Sequence, residues 1–188
     1  MKILHSLPES PHLLQVLQKF PKGVLPLLEF HDEILRGESA LSIGEREMIA
    51  AYVSGLNACA FCFGSHKMIA GAFGVEEAVF DRLMEDVQTA PVPDGLKPML
   101  LYAKKLTLEP AKMTPADADA VREAGWDEEA LVDVVKVCAL FNFMNRIIFG
   151  TGVQPQPAPA GSPAREMFDR PDAYRMLGRM MGLEKKPE

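Results

Sequence analysis

No stretch of this sequence stays apolar for the roughly 18 residues that a membrane span requires, and nothing in it is strongly basic. The formal net charge is −6. That argues against nucleic-acid and anionic-membrane partners, which need a positive face. Strand signals are almost absent: there is no sustained alternation of β-branched residues and no Asn-Gly or Asp-Gly hairpin turn. The N-terminus, MKILHSLPESPHLL, lacks the apolar stretch of a signal peptide, because His5, Pro8, Glu9 and Ser10 interrupt it. The expected location is therefore cytoplasmic. Cysteine is scarce as well, with three in 188 residues. That number excludes a disulfide-framework mini-protein. In a reducing cytosol, a close cysteine pair points to redox chemistry or metal binding rather than to a structural staple.

What is present is helical. A chain of this length, 48% hydrophobic, can bury one substantial core. Residues 10–20 and 24–36 read as two helices. Ser42-Ile-Gly-Glu45 matches the S-x-x-E capping box and opens a helix over about 43–56. Helices follow over 58–72, 76–88 and 94–108. Thr114-Pro115-Ala-Asp117 starts another that ends at Gly125, and Asp127-Glu-Glu starts a long one to about 149, closed by Gly150 and Gly152. The proline-rich segment 153–163 reads as an extended arm. A Met- and Arg-rich helix over 164–182 comes after it. The expected architecture is all-α: one domain over 1–152 of about six to eight helices packed as antiparallel hairpins. The arm and last helix, 153–188, form either a loose tail or an element that docks on a partner subunit.

The chemistry-bearing stretch is 57-NACAFCFGSHKMIA-70. On a helix, Cys59, Cys62 and His66 fall within an arc of about 60°. Cα atoms three residues apart on a helix lie about 5 Å from each other, inside the range a disulfide tolerates. Asn57 reads as the N-cap, which places Cys59 in the first turn, where the helix dipole favours a thiolate. His66, one turn beyond Cys62, is placed to take or hold that thiol's proton. This geometry leaves open which sulfur is the nucleophile. A zinc site lacks its fourth ligand, since Cys138 sits in an apolar helical run. Haem attachment fails because Phe63, not His, follows Cys62. Glu47 lies twelve residues before Cys59, with Ala50, Ala51 and Ser54 on its helical face. A glutamate on a face of small residues, where another helix packs closely, needs a buried partner.

Together these residues resemble the alkylhydroperoxidase AhpD-like family of the carboxymuconolactone decarboxylase superfamily. The matching stretch is 47-EMIAAYVSGLNACAFCFGSH-66, and 141-FNFMNRIIFGTG-152 is similar to the peroxidase-related subgroup. The resemblance covers about 40–150. It implies an all-helical fold, homo-oligomers (a dimer, or a hexamer built as a trimer of dimers), and peroxide reduction with no metal, haem or other cofactor. An external dithiol, thioredoxin-like or lipoyl, would be the reductant. The resemblance makes Cys62 the peroxidatic cysteine, Cys59 the resolving one, and His66 with Glu47 the proton relay. Founding members carry a second histidine between the cysteines, where Ala60 and Phe61 stand here. Phe61, Phe63, Phe141 and Phe143 are candidates to line an apolar substrate pocket. Two other functions compete: an oligomeric redox sensor or stress-response protein without efficient turnover, and decarboxylase- or isomerase-like acid–base chemistry on Glu47 and His66.

Overall fold

The capping box at Ser42 forms as the sequence predicts. The Ser42 hydroxyl accepts from the Glu45 amide, and the Glu45 carboxylate accepts from the Ser42 amide at 2.8 Å. It opens α3, Ile43–Leu56, in a computed structural model that describes residues 2–155 and 164–183. Two helices precede it, α1 (Leu13–Lys19) and α2 (Val24–Arg36). Following it are α4 (Ala60–Ala72), α5 (Glu77–Glu85), α6 (Lys97–Leu108), α7 (Pro115–Glu123), α8 (Glu128–Thr151), α9 (Ala164–Phe168) and α10 (Ala173–Met180). There is no strand among the described residues. The fold is a single all-α domain.

Among the described residues there are ten α-helices, eight of them within 1–152, and the total exceeds the expected number because the C-terminal helix is divided. The expected last helix is broken at Arg170-Pro171 into α9 and α10, because proline removes an amide donor and crowds the preceding turn. At the other end, the His12 side chain caps α1, so that helix starts later than residue 10. The arm expected over 153–163 lies mostly outside the described residues; Val153, Gln154 and Pro155 have no regular structure.

α3 is the central helix. Met48, Ile49, Ala50, Ala51, Tyr52 and Val53 are all buried, so it is covered nearly all round rather than on one stripe. Its alanines let neighbours approach closely, and it packs most extensively on α4, then on α8. Gly55 serves the same purpose on another side: a Cβ there would sit 2.6 Å from the Met84 sulfur. α8 runs the length of the domain and stops at Gly152, which adopts the left-handed C-cap conformation with φ 76°. The C-terminal helices pack on their own chain, α10 against α2 and α9 against α4. A second, smaller apolar cluster joins Leu7, Val16, Ile148 and Val153 to Cys59 and Cys62. The N-terminal segment and the end of α8 thus wall in the cysteines.

Candidate active site

The site begins at the corner between α3 and α4. Asn57 is the C-cap of α3 rather than the N-cap of the next helix, which corrects the sequence reading. Ala58 turns the chain with φ 55°. The Ala58 amide donates to Gly55 O at 2.9 Å and the Cys59 amide to Ser54 O at 2.8 Å. This is the Schellman arrangement, which satisfies two orphan carbonyls of α3 and normally employs glycine at the turn. An alanine there costs about 1–2 kcal/mol in the left-handed region, strain held beside the chemistry. Cys59 is consequently the N-cap of α4, not a first-turn residue, and Cys62 is its third helical residue.

Both cysteines are free thiols and buried, Cys59 to 1% and Cys62 to 3% exposure. They titrate as one unit. The Cys62 side chain, foremost, favours a thiolate on Cys59; the Cys62 amide, the Asn145 side chain and the Phe61 amide add to it. Against burial, the Cys59 pKa falls to about 7. The Cys59 sulfur makes no capping hydrogen bond of standard geometry, so the amides act on it through proximity. Cys62 is pushed well up, first by Cys59 and then by burial, because a second thiolate would stand beside the first. Burial raises Cys138 too.

A ladder of amides joins the α3–α4 corner to α8. Asn57 Nδ2 donates to Asn145 Oδ1 at 2.9 Å and to Asn142 Oδ1 at 3.2 Å, and Asn145 Nδ2 donates to Ser54 Oγ at 3.1 Å. Asn142 Nδ2 continues to Cys138 O at 3.0 Å.

A second cluster lies behind His66. Its Nδ1 donates to Glu47 Oε2 at 2.5 Å, and its ring meets Phe141 edge-on at 4.3 Å. Glu47 is wholly buried. Its other oxygen, Oε1, accepts from the Tyr174 hydroxyl at 3.1 Å and lies 2.7 Å from Arg36 Nη2. The Arg36 contact is an ion pair, since Nη2 has no directed hydrogen bond. Burial alone would raise the Glu47 pKa. The charge and hydrogen bond of His66, followed by the adjacent Arg36 guanidinium, outweigh it and hold the carboxyl below its ordinary value. Burial and the Glu47 charge keep Tyr174 protonated. Arg36 Nε donates to Phe168 O at 2.7 Å, and its guanidinium lies against the Phe168 and Tyr174 rings. Asp32 fixes the start of α10, accepting from the Tyr174 amide at 2.7 Å and the Arg175 amide at 3.0 Å. His31, pushed down to about 4 by burial, packs its neutral ring 5.0 Å from that of Tyr174.

All four sequence-predicted residues thus fall on the α3–α4 hairpin, in two pairs: Cys59 with Cys62, and His66 with Glu47. His66 follows Cys62 by one turn. Among the described residues no cluster of three or more His, Cys, Asp or Glu is arranged to hold a metal. A cavity of about 340 Å³ opens at Cys59, lined in part by Ile3, Phe61, Ile148, Phe149 and Val153. Of the four phenylalanines proposed for a pocket, Phe61 lines it, and Phe63 lines a second cavity at Cys59, of about 220 Å³, with Gly55 and Met84. Phe63 packs on Phe80, Phe141 on His66, and Phe143 is exposed. The sequence reading missed Arg36 and Tyr174 on Glu47, and the N-terminal Ile3 and Leu7 beside the thiols. Only the expectation that a buried glutamate needs a partner pointed toward the first two.

No protein-family model matches the chain. Over 133 residues it is 30% identical to the uncharacterized protein YdfG of Bacillus subtilis, covering 70% of this chain and 88% of that one. Among solved structures, a peroxidase-related protein from Ralstonia eutropha, described as an alkylhydroperoxidase AhpD core, superposes with a TM-score of 0.70 at 28% identity, covering 75% of this chain and 74% of its own. An uncharacterized peroxidase-related protein from Silicibacter shares the fold with a TM-score of 0.68 at 24% identity, over 89% and 95% of the two chains.

Proposed function

We propose that this chain, which belongs to the alkylhydroperoxidase AhpD-like family, is a thiol-dependent hydroperoxidase that works through the Cys59–Cys62 pair. The observation that carries the reading is two adjacent buried thiols, Cys59 with its pKa lowered to about 7, one turn from a histidine held by a buried carboxylate. Such a pair has a nucleophile, a resolving partner and a proton carrier in one place.

The chemistry balances as follows. The resting thiolate is on Cys59, and the family resemblance gives the attack to Cys62. A proton passing from Cys62 to Cys59 satisfies both. The Cys62 thiolate then attacks the terminal oxygen of a hydroperoxide. An S–O bond forms, the O–O bond breaks, and the alkoxide leaves with a proton relayed from Cys59 by His66. The Cys59 thiolate next attacks the Cys62 sulfenic sulfur. The 59–62 disulfide forms, and the displaced hydroxide takes a proton from solvent to become water. An external dithiol, thioredoxin-like or lipoyl, reduces the disulfide and is itself oxidised. Because His66 Nδ1 is committed to Glu47, Nε2 is the nitrogen free to carry protons. The apolar lining at Cys59 favours an organic hydroperoxide over hydrogen peroxide.

Stopped-flow consumption of hydrogen peroxide and of an organic hydroperoxide by the reduced protein tests this, with mass mapping of the product. One disulfide, 59–62, is expected per peroxide consumed, and none in Cys62→Ser. Full turnover by Cys62→Ser, or by a variant lacking both cysteines, would overturn the reading.

A further inference from the structure

We propose that Tyr174 is a positioning residue of the proton relay: its hydroxyl, delivered by α10, fixes the plane of the Glu47 carboxylate so that Oε2 faces His66 Nδ1 and the imidazole keeps one tautomer. The proposal rests on the peroxidase reading above, to which it adds a residue that acts through another.

The Glu47 carboxylate has two oxygens and three partners. Oε2 accepts from His66 Nδ1 at 2.5 Å. Oε1 accepts from the Tyr174 hydroxyl at 3.1 Å and lies 2.7 Å from Arg36 Nη2. The two partners of Oε1 do different things. Arg36 supplies charge without direction, because its Nη2 makes no hydrogen bond of standard geometry. Its Nε and Nη1 are committed elsewhere, to Phe168 O at 2.7 Å and Leu35 O at 2.8 Å. A charge contact is insensitive to how the carboxylate turns, whereas a hydrogen bond weakens steeply as it bends. Among the described residues, the Tyr174 hydroxyl is thus the one directed donor on Oε1. With Oε1 held, Oε2 stays on the His66 side. An ionised carboxylate only accepts, so the His66 nitrogen that meets it carries the hydrogen. Nε2 is left bare, to take a thiol proton and pass it to the departing alkoxide.

The hydroxyl is itself delivered to one point. Asp32 accepts from the amides of Tyr174 at 2.7 Å and Arg175 at 3.0 Å, which ties the first turn of α10 to α2. The Tyr174 ring lies 5.0 Å from that of His31 and 5.6 Å from that of Phe168, with the Arg36 guanidinium 5.3 Å from its centre. Burial and the Glu47 charge keep the phenol protonated, so toward the carboxylate it only donates. Side chains on α2 and α9 therefore hold the ring, the ring holds Glu47, and Glu47 holds His66. A proton carrier fixed by such a chain does not have to reorient during the reaction.

The test is Tyr174→Phe, which removes the hydroxyl and keeps the ring. Oxidants that differ in leaving group separate a relay defect from a damaged fold. tert-Butyl hydroperoxide expels an alkoxide that needs a proton, whereas peracetic acid expels acetate, which does not. In stopped flow with one equivalent of oxidant, the reduced variant is expected to react about tenfold more slowly with tert-butyl hydroperoxide, the effect of one lost hydrogen bond to a charged group. Its loss with peracetic acid should be much smaller. The second readout is the imidazole nitrogen NMR signals of His66 in slightly alkaline buffer. Wild type should show a protonated Nδ1 and a bare Nε2, and the variant a mixture of tautomers. Equal losses on the two oxidants, as a merely structural role predicts, or no loss on either, would overturn the proposal. Identical His66 signals in the two proteins would do the same. If the variant fails to fold by circular dichroism, wild type decides by itself, and a mixture of His66 tautomers there is the overturning result. A wild-type protein that consumes neither oxidant would remove the peroxidase reading, and the comparison of His66 signals would then decide for or against Tyr174 alone.

Discussion

His66 Nδ1 donates to Glu47 Oε2 at 2.5 Å across the α3–α4 interface, and the carboxylate that receives it has no exposed surface. The other carboxylate oxygen is held by Arg36 and by Tyr174 from the C-terminal helix. Glu47 is therefore a fixed anion with three partners, and it orients His66 by keeping Nδ1 as the donor.

Replacing Glu47 with Gln removes the anion and leaves Arg36, whose side chain is 1% exposed, as a buried cation without a counter-charge. Breaking one half of a buried pair costs about 3–5 kcal/mol. Urea unfolding of Glu47→Gln should show a loss of that size. An unchanged midpoint would mean that Arg36 finds another partner.

The direction of the Glu47 shift also sets an acid limb. Its folded pKa is held below the ordinary value. The stability it contributes is complete above the unfolded carboxylate pKa of about 4.3, and it is lost as pH falls through the lower folded value. Denaturation midpoints measured from pH 6 downward should drop more steeply below about pH 4 for wild type than for Glu47→Gln. Parallel curves would remove Glu47 from the acid limb.

His66→Gln keeps a polar side chain on α4 but removes the proton carrier. General acid–base groups contribute about 10²–10⁴-fold. Peroxide consumption is expected to fall by at least the lower figure, while Cys59 is still alkylated by iodoacetamide. Wild-type peroxide kinetics in this variant would remove His66 from the relay.

The three cysteines should separate by reactivity. The Cys59 pKa is lowered to about 7, whereas Cys62 and Cys138 are both raised. Brief labelling of the native reduced protein at neutral pH should modify Cys59 first. Equal labelling of Cys138, which donates toward Ala103 O inside the core, would show that opening of the fold, not thiolate character, sets the rates.

Asp32 holds the C-terminal helix in place through two amides and Arg175. Asp32→Ala strips those acceptors, and each buried amide left unpaired costs about 1–3 kcal/mol. Hydrogen exchange should show residues 173–180 losing protection ahead of α3 and α4, and peroxide consumption should fall as Tyr174 leaves Glu47. Protection unchanged in that segment would mean that apolar packing alone docks it.

The local signals were written plainly in the sequence. The Ser42–Glu45 and Thr114–Asp117 capping boxes, Pro115 at the start of α7 and Gly152 at the end of α8 set helix limits through backbone chemistry that operates within a few residues. The helical spacing of Cys59, Cys62 and His66, with Glu47 one helix earlier, was legible for the same reason. The corner itself was misread. Alanine rarely takes a left-handed φ, so nothing at Ala58 announced the turn that makes Asn57 a C-cap and Cys59 an N-cap.

What holds the site was decided by the tertiary structure alone. Tyr174 reaches Glu47 across 127 residues of sequence, and Asn145 reaches Ser54 across 91. No periodicity encodes such contacts. They exist because the small side chains of α3 let α4 and α8 approach closely, because a carboxylate buried by that approach must be paired, and because Asp32 docks the C-terminal helix where its tyrosine can do so.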